Sequence, residues 1–471
     1  MQAKESEGRL DAASYINAGE MTSLFADQAL IPGGWRQAVR LTIRDGRITG
    51  IETGAAPHPG DERHAVVVPA MPNLHSHAFQ RAMAGLAERR HTGNDTFWSW
   101  RELMYRLALS MNPDQVRAVA AQAYIEMLEA GFSRVGEFHY LHHDVDGRPY
   151  AEIAEMANAV SAAAAHTGLG MTLLPVFYAH SAFGGKPPNE GQRRFINSVD
   201  SYAQLLDGCR RAVKPLGTGV VGVAPHSLRA VTPEELAGVV ALAPNTPIHI
   251  HIAEQMREVE DCVAWSGQRP IAWLLDHAPV DERWCLVHAT HMTEAETTRT
   301  AASRAVVGIC PITEANLGDG VFNAPTFTAA GGRFGVGSDS NVQIGAADEL
   351  RLLEYSQRLA RQGRNVMAPP GGSTGRALYD QALRGGARAL GAEFTGLAAG
   401  SPADIVSLNT GHAAFAGAKD DALLDAWIFN AGNGGVDCVW VNGVKQVEGG
   451  RHRARGDVSQ AFFKVMKQLA A

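Results

Sequence analysis

His75 and His77 stand two residues apart just after a β-rich run. In an extended segment residues i and i+2 point to one face, so both imidazoles can reach a single ion. His251, near the end of a later β-rich run, adds a third neutral nitrogen, and Asp339, just past the last run, an anionic oxygen. Three imidazoles and one carboxylate suit Zn²⁺, or Fe²⁺ in the same geometry, with a further position open to water. A lone His-x-His is a weak sign. Joined to His251-x-x-Glu254, a late His288 and a final Asp339, it becomes a strong one. His249 shares the face of His251 and is a rival ligand. The glutamate three residues on and the deeper position of 249 favour 251.

A bound divalent ion lowers the pKa of its water from about 15.7 to about 7. Asp339 and His288, at neighbouring late strands, are the candidates to accept and orient the water proton. Glu254 lies where it could reach a substrate nitrogen instead of the metal. A carboxylate so placed protonates an imine-like nitrogen, activating an amidine carbon and later helping ammonia to leave. The plainer alternatives are a helix-start carboxylate for Glu254 and a core histidine for His288.

The elements that must position these groups are legible as alternation. Between about Val66 and Leu390, eight short β-rich runs are separated by helical stretches. The runs are Val66–Ala70, Arg134–His139, Met171–Ala179, Gly219–Ala224, Pro247–Ile252, Trp284–Ala289, Ala305–Ile309 and Phe334–Gly337. The helical stretches include Asp114–Ala130, Ala151–His166 and Gln192–Val213. Eight such units in order predict an α/β fold, a (β/α)8 TIM-type barrel, whose catalytic groups project from the C-terminal strand ends. The polar residues sit at those ends: His75, His77, Glu137, His139, His180, His226, Arg229, His251, Glu254, His288, Glu314, Asn316 and Asp339. A doubly wound open sheet is the competing fold, but no Gly-x-Gly-x-x-Gly follows an early strand.

Outside the middle, Leu24–Ile51 is β-rich with turns at Gly33–Gly34 and Asp45–Gly46. Ala403–Leu408 and Cys438–Val447 repeat that style around Asn442–Gly443. These predict a small β-sandwich domain built from both chain ends. The expected organisation is a flexible leader over 1–20, a composite β domain of 21–65 and 395–455, the metal-dependent barrel over 66–394, and a C-terminal helix over 456–471. The leader carries Glu5, Glu7, Asp11 and Glu20 and no apolar core, so it does not read as a signal peptide, and Met21 is an alternative start.

Composition excludes several classes. The 471 residues are 45% hydrophobic and 19% charged, which fits a large core and not a disordered chain. No stretch approaches the ~18 apolar residues of a membrane span. The net charge of −7 favours neither nucleic acid nor an anionic membrane, so an anionic ligand must be held by local arginines. Five dispersed cysteines without a Cys-x-x-Cys predict reduced thiols and a cytoplasmic location.

These residues together resemble the amidohydrolase superfamily over about Leu24 to Gly450, including the stretch Gly400-Ser-Pro-Ala-Asp-Ile-Val406. The chain is similar to its mononuclear branch, since the fourth run closes with Pro225-His-Ser-Leu-Arg229 and no bridging lysine. His-x-x-Glu points within the branch to deaminases and deiminases. Met71-Pro-Asn-Leu-His-Ser-His-Ala-Phe-Gln-Arg-Ala-Met-Ala-Gly85 and Phe97-Trp-Ser-Trp-Arg-Glu-Leu-Met-Tyr105 resemble the formimidoylglutamate deiminases of histidine degradation. Asn73 stands where other deaminases of the branch carry glycine. The resemblance implies hydrolysis of N-formimino-L-glutamate to N-formyl-L-glutamate and ammonia with one Zn²⁺ per subunit. Such a dicarboxylate needs cationic clamps, for which Arg229 and Arg101 are the candidates. The resemblance also assigns substrate contact to Gln80, Tyr140 and His226, while Arg89 and Arg90 read as solvated. Alternatives are a guanine or cytosine deaminase, an imidazolonepropionase-like ring hydrolase, and an inactive scaffold. A homodimer is expected by analogy.

Overall fold

The computed structural model describes residues 21–88, 96–393 and 396–470. The leader and the pair Arg89 and Arg90 lie outside the described residues.

Both ends of the described chain build one mixed sheet of eight strands. Across the sheet the order is Arg451–His452, Val444–Glu448, Val436–Val441, Ile405–Leu408, Glu62–Pro69, Thr22–Ile31, Gly34–Arg44 and Arg47–Thr53. Its hairpins follow turn chemistry. Asp45 and Gly46 (φ +50° and +77°) make a two-residue turn with both central residues left-handed, and Asn442 and Gly443 (φ +47° and +74°) make another. The turns touch: a Cβ on Gly443 would meet Ile43 Cγ2 at 2.8 Å.

Glu62–Pro69 is the splice. It runs parallel to Thr22–Ile31 on one side and antiparallel to Ile405–Leu408 on the other. The terminal segments form one continuous hydrogen-bonded sheet, joined by this strand, and it folds back on itself so that Leu41, Ile43 and Ile48 share one apolar cluster with Ile405, Cys438 and Trp440. One expectation is corrected here. The run Val66–Ala70 belongs to that sheet and does not open the alternating series. The chain changes sheets at the next bond: the Ala70 N–H donates to Asp404 O and the Met71 N–H to Gly131 O. One unbroken apolar stretch spans the change, so periodicity hides it.

The middle of the chain forms two parallel sheets. One contains β1 (Met71–Ser76), β2 (Phe132–His139), β3 (Gly170–Phe177) and β4, which is broken into Val220–Val221 and Ala224–Pro225. The other contains β5 (Ile248–Ile252), β6 (Trp284–His288), β7 (Val306–Ile309) and β8 (Arg333–Val336). Single bridges link the two at both edges, Val223 to Ile248 and Ser76 to Asp339. β3 and β6 are buried at every residue, as strands covered on both faces must be. A small apolar cluster of Leu74, Cys285, Val287, Val306, Cys310, Ala389 and Leu390 draws residues from both sheets.

Helices alternate with the strands, and their starts follow capping chemistry. Asn112, Ser198, Thr232 and Thr293 each cap a helix through reciprocal bonds with the residue three positions on. The Ser198–Ser201 pair starts one helix at Val199, later than the expected Gln192. The other two expected helices occupy Pro113–Glu129 and Glu155–Thr167. Near the C-terminus Arg455–Leu469 packs against Pro113–Glu129, where Ser459 Oγ donates to Gln122 Oε1 at 3.0 Å. Among the described residues no helix is long and apolar enough to cross a membrane.

Candidate active site

The C-terminal ends of β1, β5 and β8 bring His75, His77, His251 and Asp339 together, all buried. His75 Nε2 lies 3.2 Å from His77 Nε2 and 3.0 Å from His251 Nε2. Asp339 Oδ1 lies 3.4 Å from His75 Nε2 and 3.2 Å from His77 Nε2. Donors about 2.0–2.1 Å from a tetrahedral zinc stand about 3.3 Å apart, so the set fits such an ion. Burial pushes His75 down to about 3, and burial with neighbouring imidazoles holds His251 well below the usual range, so both stay neutral. Burial alone would raise Asp339, but hydrogen bonds with His75 and His77 outweigh it and keep the carboxylate ionised.

Local structure aims these groups. His77 Nδ1 lies 2.8 Å from Phe138 O, which fixes the proton there and leaves Nε2 as the donor atom. His249 points elsewhere: its Nε2 lies 2.7 Å from Ala389 O. The His77 N–H donates to Asp339 O and the Asp339 N–H to His75 O, stitching β1 to the turn after β8. A Cβ on Gly337 would meet three His75 atoms at 2.8 Å, so glycine permits that approach. Asp339, Asn341, Ala253, His288 and Ala289 all have left-handed φ between +46° and +70°, the kind of backbone strain that collects at functional sites.

Beside the donor set sits a second cluster. His288 Nε2 lies 3.8 Å from Glu254 Oε1 and 3.9 Å from Asp339 Oδ2, while its Nδ1 lies 3.1 Å from Glu314 Oε1. Burial would lower His288, yet the Glu254 charge and the Glu314 hydrogen bond raise it well above the imidazole range. Burial pushes Glu254 up to about 7, against the pull of His288. Glu258 fixes the turn that carries Glu254, accepting from the Ala253 and Glu254 N–H groups at 3.0 and 3.2 Å. Asp319 completes the cluster, close to both Glu254 and His288, with Gln255 donating to its Oδ1. Burial and the Glu254 charge push Asp319 up to about 9.

A cleft opens over both clusters. It is lined by Gln80, Arg101, Tyr140, His226 and Arg229 together with His77, His251, Glu254, His288 and Asp339. Gln80 Nε2 donates to Tyr140 Oη at 2.8 Å, leaving Gln80 Oε1 buried without a hydrogen-bond partner. His226 Nδ1 lies 3.1 Å from Ser227 Oγ, and burial with the Arg229 charge holds it neutral. Arg101 donates to Tyr105 Oη at 2.8 Å, and Arg229 Nε is buried without a hydrogen-bond partner among the described residues. Among the described residues neither guanidinium forms a salt bridge. Three guanidiniums surround the Trp98 ring, with Arg101, Arg229 and Arg257 carbons 5.2, 5.8 and 4.7 Å from its centroid.

Of the other polar strand-end residues, Glu137 accepts from the Ala78 N–H, His180 pairs with Glu235, and Asn316 donates to Glu88. Three neighbours escaped sequence reasoning. Asp319, between Gly318 and Gly320, reads as turn chemistry, and Arg257 reads as a helix-surface charge. Trp98 lies in a motif already singled out, and its i, i+3 spacing to Arg101 was the available signal.

Comparison with known proteins places this arrangement. Residues 66–445 match the model of the amidohydrolase family, and residues 21–65 match that of the formimidoylglutamate deiminase HutF N-terminal domain. A formimidoylglutamate deiminase of Pseudomonas aeruginosa is 50% identical, the alignment covering 95% of this chain and 100% of that protein. The crystal structure of an amidohydrolase from Brucella melitensis superposes with a TM-score of 0.93 at 58% identity, covering 96% of this chain and 100% of that one. A zinc-bound adenosine deaminase from Xanthomonas campestris, 20% identical, shares the fold with a TM-score of 0.78, covering 95% of this chain and 98% of that one. The chain belongs to the amidohydrolase family and groups within it with the formimidoylglutamate deiminases.

Proposed function

We propose that this protein hydrolyses the formimino C–N bond of N-formimino-L-glutamate, giving N-formyl-L-glutamate and ammonia in L-histidine degradation. One observation carries the reading: two arginines without salt-bridge partners among the described residues share a cleft with a four-donor set and a buried carboxyl. The Pseudomonas relative, matched over its whole length, supports the same substrate.

His75, His77, His251 and Asp339 would hold one divalent ion. Zinc is the first choice, on the donor chemistry, and iron the alternative. When bound, such an ion would supply acidified water as the attacking group. The chain's own groups do the rest. Arg101 and Arg229 bind the two substrate carboxylates and fix the formimino group over Glu254. Gln80, Tyr140 and His226 border the substrate. Glu254, raised by burial, donates its proton to the imino nitrogen as the carbon gains oxygen. Asp339, kept ionised, takes the proton from the attacking oxygen, while His288, oriented by Glu314 and held protonated, donates a hydrogen bond to that oxygen. Asp339 passes that proton on to the amine, the C–N bond breaks and ammonia leaves, and the remaining hydroxyl proton returns to Glu254 as the formyl group forms. One water is consumed and no net proton is exchanged.

The two parallel sheets are read as arcs of one closed (β/α)8 barrel, supported by the single bridges at both edges. The mixed sheet is read as a composite domain of residues 21–65 and 395–455, its splice strand reaching into the barrel segment. Ammonia release from N-formimino-L-glutamate, compared with guanine and cytosine, tests the function. Release from a nucleobase alone refutes it.

A further inference from the structure

We infer that Asn73, Ser338 and Asn341 are positioning residues for the metal, joining the two chain segments that carry three of its four donors. The inference rests on the proposed reading of His75, His77, His251 and Asp339 as ligands.

Asp339 must hold a left-handed backbone (φ +46°), and Asn341, two residues on, must do the same (φ +55°). Left alone, a short turn with two such residues relaxes and takes the carboxylate with it. At this edge a single bridge, Ser76 to Asp339, pairs the strands, so the ladder alone anchors the turn weakly. A relay of side chains does so instead. The Asn73 amide grips Ser338 twice: its Nδ2 donates to Ser338 Oγ at 2.7 Å and its Oδ1 accepts the Ser338 N–H at 3.0 Å. Ser338 Oγ donates in turn to Asn341 Oδ1 at 2.6 Å. Asn341 Nδ2 then reaches Ser76 Oγ, His77 O and Asp339 O, each at 3.1 Å.

The relay therefore starts two residues before His75, passes the residue before Asp339, and returns to the carbonyls of His77 and Asp339. Asn73, Ser338 and Asn341 are all fully buried. None of them lines the cleft, so substrate contact does not account for them. Thr313 adds a brace from the neighbouring helix Pro311–Leu317: its Oγ1 accepts the Ser340 N–H at 3.2 Å. A buried polar network is worth keeping when each member fixes the geometry of the next, and partners of metal ligands commonly change metal affinity 10- to 100-fold when removed.

The test measures Zn²⁺ affinity by competition with a chelator, and the visible absorption of the Co²⁺-substituted protein, for Asn73→Ala and Asn341→Ala. Ser338→Ala, which breaks the relay while leaving both amides, serves where those variants fail to fold. Val439→Ala, in the buried core of the mixed sheet, is the control for general loss of stability. The relay variants should lose zinc affinity about 10- to 100-fold and shift the Co²⁺ bands, while Val439→Ala at a similar loss of Tm does neither. Wild-type affinity with unchanged Co²⁺ bands in the relay variants overturns the inference, as does equal weakening in Val439→Ala. A wild-type chain that binds no metal overturns the ligand reading itself.

Discussion

Truncating Arg229 to alanine removes one of two cations in the cleft that lack a salt bridge to any described carboxylate. Nothing internal needs rearranging to compensate, because its Nε has no hydrogen-bond partner and its guanidinium rests 5.8 Å from the Trp98 centroid. The loss therefore falls on the substrate. A hydrogen bond between charged groups contributes about 1.5–3 kcal/mol, and each 1.4 kcal/mol is about tenfold. Arg229→Ala should then lower kcat/KM on N-formimino-L-glutamate about 10- to 150-fold, chiefly through KM, and more if both guanidinium nitrogens engage. Arg101→Ala should behave alike, with an added loss from the Tyr105 hydrogen bond. The assay is steady-state ammonia release, run in parallel on N-formiminoglycine, which lacks the side-chain carboxylate. Wild type should handle that analogue as poorly as one arginine variant handles the full substrate. On that variant the analogue should cost nothing further. Lysine at 229 should restore little, since it lacks the planar fork. Kinetics of Arg229→Ala within twofold of wild type on both compounds would refute the dicarboxylate cleft.

Other expectations concern the proton chemistry and the donor set. Glu254 donates in its protonated form, so kcat should be retained below its pKa of about 7 and fall as pH rises through it; Glu254→Gln should cost about 10²- to 10⁴-fold and abolish that limb. His249→Leu should keep full metal content while losing about 1–3 kcal/mol of stability, because it strands the Ala389 carbonyl; His251→Leu should lose the metal. In metal-stripped protein, His75 titrates at about 3 when folded against about 6.5 unfolded, because of burial. Its contribution to stability is therefore complete above pH 6.5 and lost as pH falls towards 3, at about 1.4 kcal/mol per pH unit. A denaturation midpoint of the stripped protein that is flat between pH 6.5 and 4 would contradict that sign.

The donor set was legible in the sequence because strand periodicity puts i and i+2 on one face, and because each donor sits near or just past the end of a β-rich run. His75, His77, His251 and Asp339 duly converge. Both His249 and His251 share a face of β5; Glu254 three residues on favoured 251 in the sequence, and the coordinates add that His249 is held by the Ala389 carbonyl. The change of sheet between Ala70 and Met71 was hidden, because buried strands on either side read as one apolar run. Contacts between distant elements left no periodic trace, so the convergence of Arg101, Arg229 and Arg257 on Trp98 went unseen. Asn73 showed only as an unexpected residue in a motif. Its partners Ser338 and Asn341 lie at the far end of the parallel series.

The most direct test of the account is metal content measured together with ammonia release from N-formimino-L-glutamate, on purified, chelator-stripped and zinc-reconstituted protein. One ion per chain is predicted, with activity that vanishes on stripping and returns in proportion to the zinc restored. Undiminished ammonia release from fully stripped protein, or none from the loaded form, would contradict it.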